Sequence, residues 1–191
     1  MTKGIIFDLY GTLLHTTVKK KPYLNLFRQL GLTKQEMSVW VDRVMTENFD
    51  SFEELKEKIK PGSSIYTKQY EYEVDEEVEF TFLYSDTIKT LQRLRTKYRL
   101  FLLSNIATPY KSCYYNEGLD EFFEKPFFSC DIGFRKPQPE AFQMIVDYSG
   151  LNPNQLLMIG DSNHSDYEGA MNCGIPALLK DTDLFILTQH L

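Results

Sequence analysis

"GIIFDLYGTLL", residues 4–14, decides how this chain reads. Its apolar run ends abruptly at a carboxylate, Asp8, and Gly11 and Thr12 follow closely. Two further segments share that construction. "YRLFLLSN" (98–105) carries Leu100 to Leu103 before Ser104 and Asn105, and "NQLLMIGD" (154–161) carries Leu156 to Ile159 before Gly160 and Asp161. Short continuous apolar runs suit strands buried on both faces, as in a parallel sheet covered by helices. The polar residue closing each run then stands at the carboxyl edge of the sheet, where open α/β sheets bind ligands. A turn former or helix cap would explain one such residue. Three of them together point to a site.

Helical patterns separate these strands. "SDTIKTLQRLRTKY" (85–98) spaces Ile88, Leu91, Leu94 and Tyr98 helically, with Ser85 or Asp86 as the expected cap. "KPQPEAFQMIVDYSGL" (136–151) begins with prolines and stops near Gly150. "SDYEGAMNCG" (165–174) reads as a short helix ending at Gly174, and "IPALL" as a further strand. The alternation predicts a parallel α/β sheet with helices on both faces.

Residues 14–83 break the alternation. "PYLNLFRQLGL", "KQEMSVWVDRVMTENF" and "SFEELKEKI" read as amphipathic helices, and "KPGSS" (60–64) as a loop among them. "YEYEVDEEVEFTF" (70–82) is acidic and aromatic and does not decide between helix and strand, and its acids read as a solvated face. The block is expected to be a mostly helical cap, 14–83, inserted into a core made of 1–13 and 84–191.

Composition narrows the function. With 191 residues, 42% of them hydrophobic, the chain can bury a core and carry an insertion. A net charge of −6 argues against nucleic-acid binding. Cys113, Cys130 and Cys173 are odd in number and show no C-x-x-C spacing, as expected of free thiols in a reducing cytoplasm. The first apolar stretch is too short for a signal peptide, and no run approaches the ~20 residues that cross a bilayer.

If the strand ends converge, Asp8, Ser104, Asn105 and Asp161 share a crevice with Asp166 and Lys136. Clustered carboxylates repel one another unless a cation joins them, and a hard cation such as Mg²⁺ meets that need. Lysine, hydroxyl and amide groups can clamp a phosphoryl group. One carboxylate can then act as a nucleophile.

"DLYGT", "LLSN", "RKPQPEAF" and "GDSNHSD" together, in this order, resemble the four motifs of the haloacid dehalogenase-like hydrolase superfamily. The resemblance implies a Rossmann-like core and, in the subgroup with an insertion after the first motif, a helical cap. It implies Asp8 as nucleophile and Thr12 as the residue orienting it. Ser104 and Asn105 would bind the transferring group, and Lys136 would pair with Asp8 and substrate. Mg²⁺ would be held by Asp8, the Tyr10 backbone carbonyl and Asp161, with Asp166 in support. The implied substrate is a small phosphorylated molecule, and the protein a monomer or homodimer.

The chain departs from the pattern at Tyr10. Phosphatases of the superfamily carry a second aspartate there, which protonates the leaving group and later activates water. Tyrosine, with a reference pKa near ~10, is a poor substitute. Haloacid dehalogenases have tyrosine there and an asparagine where this chain has Asn163. They also have a serine in place of Asp161 and a tyrosine in place of Phe142. Their cap arginine has two candidate counterparts without a motif, Arg28 and Arg43. Asp161 tips the reading toward a Mg²⁺-dependent phosphatase with an altered acid–base position. The alternatives are a metal-free 2-haloacid dehalogenase and a degenerate member that binds a phospho-ligand or partner without turnover. His15 and His164 adjoin the motifs and could replace the missing acid, although such histidines more often form surface hydrogen bonds.

Overall fold

The computed structural model describes residues 1–191. The strands are β1 (Gly4–Phe7), β2 (Leu14–Thr16), β3 (Thr81–Leu83), β4 (Arg99–Ser104), β5 (Lys125–Phe128), β6 (Leu156–Gly160) and β7 (Ala177–Leu179). The helices are α1 (Pro22–Gln29), α2 (Lys34–Thr46), α3 (Phe52–Ile59), α4 (Lys68–Glu79), α5 (Thr87–Leu94), α6 (Lys111–Asn116), α7 (Ser129–Ile132), α8 (Pro139–Ser149), α9 (Gly169–Asn172) and α10 (Leu184–Leu187). A π-helical turn, Asn163–Glu168, runs directly into α9. No helix is long and apolar enough to cross a membrane.

Five strands form one parallel sheet in the order β5-β4-β1-β6-β7, with β1 at its centre. Alternate side chains of each strand point to opposite faces, and both faces are covered. Ile5, Phe7, Leu100, Leu102, Leu157 and Ile159 join one core cluster with Leu91 and Leu94 of α5 and Tyr114 of α6. Ile6, Phe101, Leu103, Leu156 and Met158 join a second with Ala141, Phe142 and Ile145 of α8. The continuous apolar runs of the sequence are the consequence of this two-sided burial. Phe7 pairs with Leu102 on one side and Ile159 on the other, so the three polar strand ends emerge side by side.

Between β2 and β3 lie α1–α4, packed around their own cluster, which includes Leu26, Phe27, Leu55, Tyr70 and Val74. β2 and β3 pair antiparallel, Leu14 opposite Leu83, and tie the two ends of this insertion together. The acidic stretch that left helix and strand undecided is both. It forms α4 and then β3, with Tyr70, Val74 and Val78 at helical spacing on the packed side. Its acids are not all solvated. Glu77 accepts hydrogen bonds from the Lys20 and Lys21 amides and from the Tyr110 hydroxyl. Asp86 also differs from expectation. It makes no side-chain cap on α5 and instead accepts the Phe185 amide at 2.9 Å. β5 and α6 were not foreseen from the sequence.

Further bonds close the insertion over the carboxyl edge. Asp42 of α2 pairs with Arg135 at 2.5 Å. Asn48 donates to Asp131 at 3.0 Å and accepts from the Thr108 hydroxyl at 2.8 Å.

Candidate active site

The first motif forms a tight loop after β1. Asp8 N–H donates to Ile159 O at 3.0 Å, which fixes the carboxylate beside the end of β6. Thr12, Leu13 and Leu14 amides converge on Leu9 O, and Gly11 N–H reaches Leu14 O at 2.7 Å. These bonds leave the Tyr10 carbonyl without a backbone donor. Gly11 adopts φ +88°, and a Cβ there would lie 2.2 Å from Asp161 Oδ2. Glycine is therefore required twice over, by conformation and by the approach of that carboxylate. Gly160 is required on steric grounds alone, since an added Cβ would lie 2.2 Å from Asp166 Oδ2.

Lys136 is the centre of the cluster. It is 2% exposed, and its Nζ lies 2.7 Å from Asp8 Oδ1 and 2.6 Å from Asp166 Oδ1. Asp166 sits on the π-helical turn, and its Oδ2 accepts the Ser162 amide at 2.9 Å. Asp166 Oδ1 is held by the ion pair to Lys136 alone, and the buried Asp8 Oδ2 has neither an ion-pair nor a hydrogen-bond partner. Asp161, the most exposed of the three acids, completes the set. One oxygen from each of Asp8, Asp161 and Asp166 lies within 4.8 Å of the others.

The charges do not balance. In the contact cluster three carboxylates face one ammonium, a formal −2, while Lys180 acts on Asp161 without ion-pair contact. Burial pushes the Asp8 carboxyl up to about 6, with Asp166 and Asp161 adding to the rise and Lys136 opposing it. Burial, then Asp166, also raises Asp161. Burial works against the Lys136 charge, yet Asp8 and Asp166 outweigh it and hold the ammonium above its usual range. A set of hard oxygen donors with one unpartnered oxygen and two excess negative charges is suited to a divalent cation of the Mg²⁺ type.

The remaining predicted residues divide. Ser104, buried, ends β4. The Asn105 amide is spent on Lys136: Nδ2 donates to Lys136 O at 2.7 Å and Oδ1 accepts Lys136 N–H at 2.8 Å. Its observed contact is with the lysine that it positions. The buried Thr12 hydroxyl makes no hydrogen bond within the protein, so it does not hold Asp8 here. The Tyr10 ring stands edge-on to Tyr110, and its hydroxyl donates to Tyr110 O at 3.4 Å. Burial raises its pKa further above the ordinary phenol value.

The side candidates lie elsewhere. His15 packs against Tyr84 at 4.9 Å between ring centroids. His164 is exposed and faces Glu168 at 3.5 Å. Arg28 bonds Asn25, and Arg43 is committed to Glu47. None of the four joins the carboxylate cluster. Asn163, too, is turned to Glu168. Sequence reasoning missed Glu77, whose only signal was its place on the helical face set by Tyr70 and Val74. It also missed the steric role of Gly160, marked by its position between a strand and an acid.

Above Tyr10 and Asn105 the insertion and the core border an open cavity of about 370 Å³. Tyr10, Ile106, Ala107 and Tyr110 form its core wall. Pro22, Leu24, Val41, Val44 and Met45 face them from the insertion.

Comparison with known proteins agrees with this architecture. The family model of the haloacid dehalogenase-like hydrolases matches residues 2–174. Glyceraldehyde 3-phosphate phosphatase of Methanothermobacter thermautotrophicus is 28% identical, covering 96% of this chain and 88% of its own. Pyrophosphatase PpaX of Oceanobacillus iheyensis is 25% identical, over 95% and 86%. A family enzyme of Bacteroides thetaiotaomicron, crystallised with magnesium and inorganic phosphate, superposes with a TM-score of 0.68 over 94% of each chain at 21% identity. This chain belongs to the haloacid dehalogenase-like hydrolases and is an enzyme.

Proposed function

We propose that this hydrolase is a Mg²⁺-dependent phosphatase of a small phosphorylated molecule, working through an aspartyl-phosphate on Asp8. The observation that carries the reading is the −2 cluster with its unpartnered Asp8 Oδ2. An anionic haloacid would meet repulsion there unless a cation intervened. The two relatives named for phosphate chemistry support the same class. We assign 14–83 as the cap and 1–13 with 84–191 as the catalytic core.

Asp8, Asp161 and the Tyr10 carbonyl would hold Mg²⁺, with Asp166 in support. When bound, the ion offsets the excess charge and withdraws charge from the phosphoryl oxygens. Asp8 attacks phosphorus, the bond to the leaving oxygen breaks, and that oxygen departs with the electron pair. Lys136 holds Asp8 in place and stabilises the charge gathering on the phosphoryl group. Water then attacks the phosphorus of the acyl phosphate, the bond to Asp8 breaks, and the carboxylate returns. The proton lost by water balances the leaving oxyanion. Ser104, at the end of β4, would bind the transferring group.

Tyr10 sets the character of the reaction. Its hydroxyl lies 3.4 Å from the Tyr110 carbonyl, and with its pKa raised by burial it is a poor proton donor near neutrality. Leaving groups must depart largely unprotonated, so aryl phosphates should react faster than alkyl phosphates by ~10²–10⁴, the usual worth of an acid–base group. Assays of phenyl and ethyl phosphate, with Mg²⁺ and with chelator, test the proposal. Metal-dependent release of phosphate favouring the aryl ester supports it. Equal rates would assign the proton to another residue. Tyr10 also favours the dehalogenase alternative, and halide released from a 2-haloacid in chelator would replace the phosphatase reading with that one.

A further inference from the structure

We infer that the cavity between cap and core selects a phosphate monoester with an apolar organic body, alkyl or aryl, over a polyhydroxylated one. The inference rests on the phosphatase reading of the Asp8 cluster and adds the substrate class to it. Two residues connect the cavity to the chemistry. Tyr10, two positions after Asp8, forms part of its wall, and so does Asn105, which is bonded to both backbone atoms of Lys136. None of Asp8, Lys136, Asp161 and Asp166 lines the cavity itself, so a molecule whose phosphoryl group sits at Asp8 would reach it with its organic portion past Tyr10 and Asn105.

The walls decide what that portion can be. The volume of about 370 Å³ falls within the ~300–1,000 Å³ of ligand pockets. Leu24, Val41, Val44 and Met45 offer the leaving group no polar atom from their side chains. Of the polar groups in the wall, Glu77, Thr81 and Thr16 are already in use, and the Tyr23 hydroxyl has no partner within the protein. Glu77 is bonded to Tyr110 and two backbone amides, Thr81 donates to Glu77 O at 2.7 Å, and Thr16 donates to Val18 O at 2.9 Å. Substrate hydroxyls would lose water here and find few partners, which penalises a sugar phosphate. Lys19 and Lys21, both exposed, stand in the same wall and bring positive charge to an approaching phosphate. An apolar body also agrees with the missing acid, because an aromatic leaving group both fills such a space and departs as a stable anion.

Two measurements separate this inference from the reading beneath it. The first is binding of methyl-, butyl- and hexylphosphonate to the Mg²⁺-loaded enzyme by calorimetry, beside inorganic phosphate. None of these can be hydrolysed, so leaving-group chemistry plays no part. Affinity should rise by about three- to fourfold per methylene until the cavity is filled, the increment for burying a CH₂ group. The second is the hexyl-to-methyl affinity ratio in Met45→Glu, which should fall by more than tenfold in a protein with wild-type melting behaviour. If inorganic phosphate binds and the affinities do not depend on chain length, the apolar-substrate inference is overturned and the phosphatase reading stands. A chain-length dependence that persists undiminished in folded Met45→Glu places the apolar contact elsewhere and overturns the assignment to this cavity. If neither inorganic phosphate nor any phosphonate binds, both fall.

Discussion

Asn105 grips Lys136 at both backbone polar atoms, donating to its carbonyl at 2.7 Å and accepting its amide at 2.8 Å. The lysine that neutralises Asp8 and Asp166 is thereby fixed by a side chain from a different strand end. Asn105→Asp retains the acceptor and removes the donor, setting a carboxylate against the Lys136 carbonyl. We expect kcat to fall at least tenfold and stability to drop by ~1–3 kcal/mol, the cost of leaving a buried polar group unmatched. Thermal melts and steady-state kinetics on an aryl phosphate check both. A variant with wild-type kcat would show that Lys136 needs no such support.

Removing the lysine should do more. Lys136→Met keeps the bulk and leaves Asp8 and Asp166 buried without their common partner. Breaking a buried ion pair in this way costs ~3–5 kcal/mol. The metal-free variant should therefore melt far below wild type, and Mg²⁺ should restore part of the loss. Melting curves with Mg²⁺ and with chelator measure it, and an unchanged melting temperature would contradict the charge account.

Asp161→Asn should act in the opposite direction. It removes one of the excess negative charges, so the metal-free protein should become more stable, by ~2–4 °C for each kcal/mol relieved. The same change should abolish the upward shift that Mg²⁺ gives the wild type through binding. A destabilised metal-free variant would place Asp161 outside the repulsive set.

Gly11→Ala tests the loop. The new methyl would meet the Asp161 carboxylate and the backbone would be strained at φ +88°. Mg²⁺ binding by calorimetry should weaken by at least tenfold even where the protein folds. Retained affinity would show that the loop can move away from Asp161.

Most of the fold and the members of the central cluster were legible because the sheet is buried on both sides. That burial demands unbroken apolar runs, and the acids that end them stand out. β5 escaped notice for the complementary reason. It is an edge strand whose four residues begin with Lys125 and Pro126, and an edge tolerates both. The 70–82 stretch alternates well enough for a strand and also places Tyr70 and Val74 for a helix, and the packing of α1 and α3 against Tyr70 and Val74 decided it. Site members that depend on contacts distant in sequence were hidden. Nothing in "LLSN" indicates that Asn105 is spent on the Lys136 backbone, and nothing beside His15 or His164 indicates that each faces away from the cluster.

The central claim is a phosphorylated Asp8, and it can be read by mass. Enzyme mixed with Mg²⁺ and phenyl phosphate, quenched in acid within the first turnovers and digested, should yield the Asp8 peptide heavier by one phosphoryl group. Because Tyr10 provides no base for the attacking water, the adduct should build up to a large fraction of the enzyme, and it should be absent from Asp8→Asn. Rapid metal-dependent release of phosphate with no adduct on Asp8 at any quench time, or an adduct that survives in Asp8→Asn, would contradict the account.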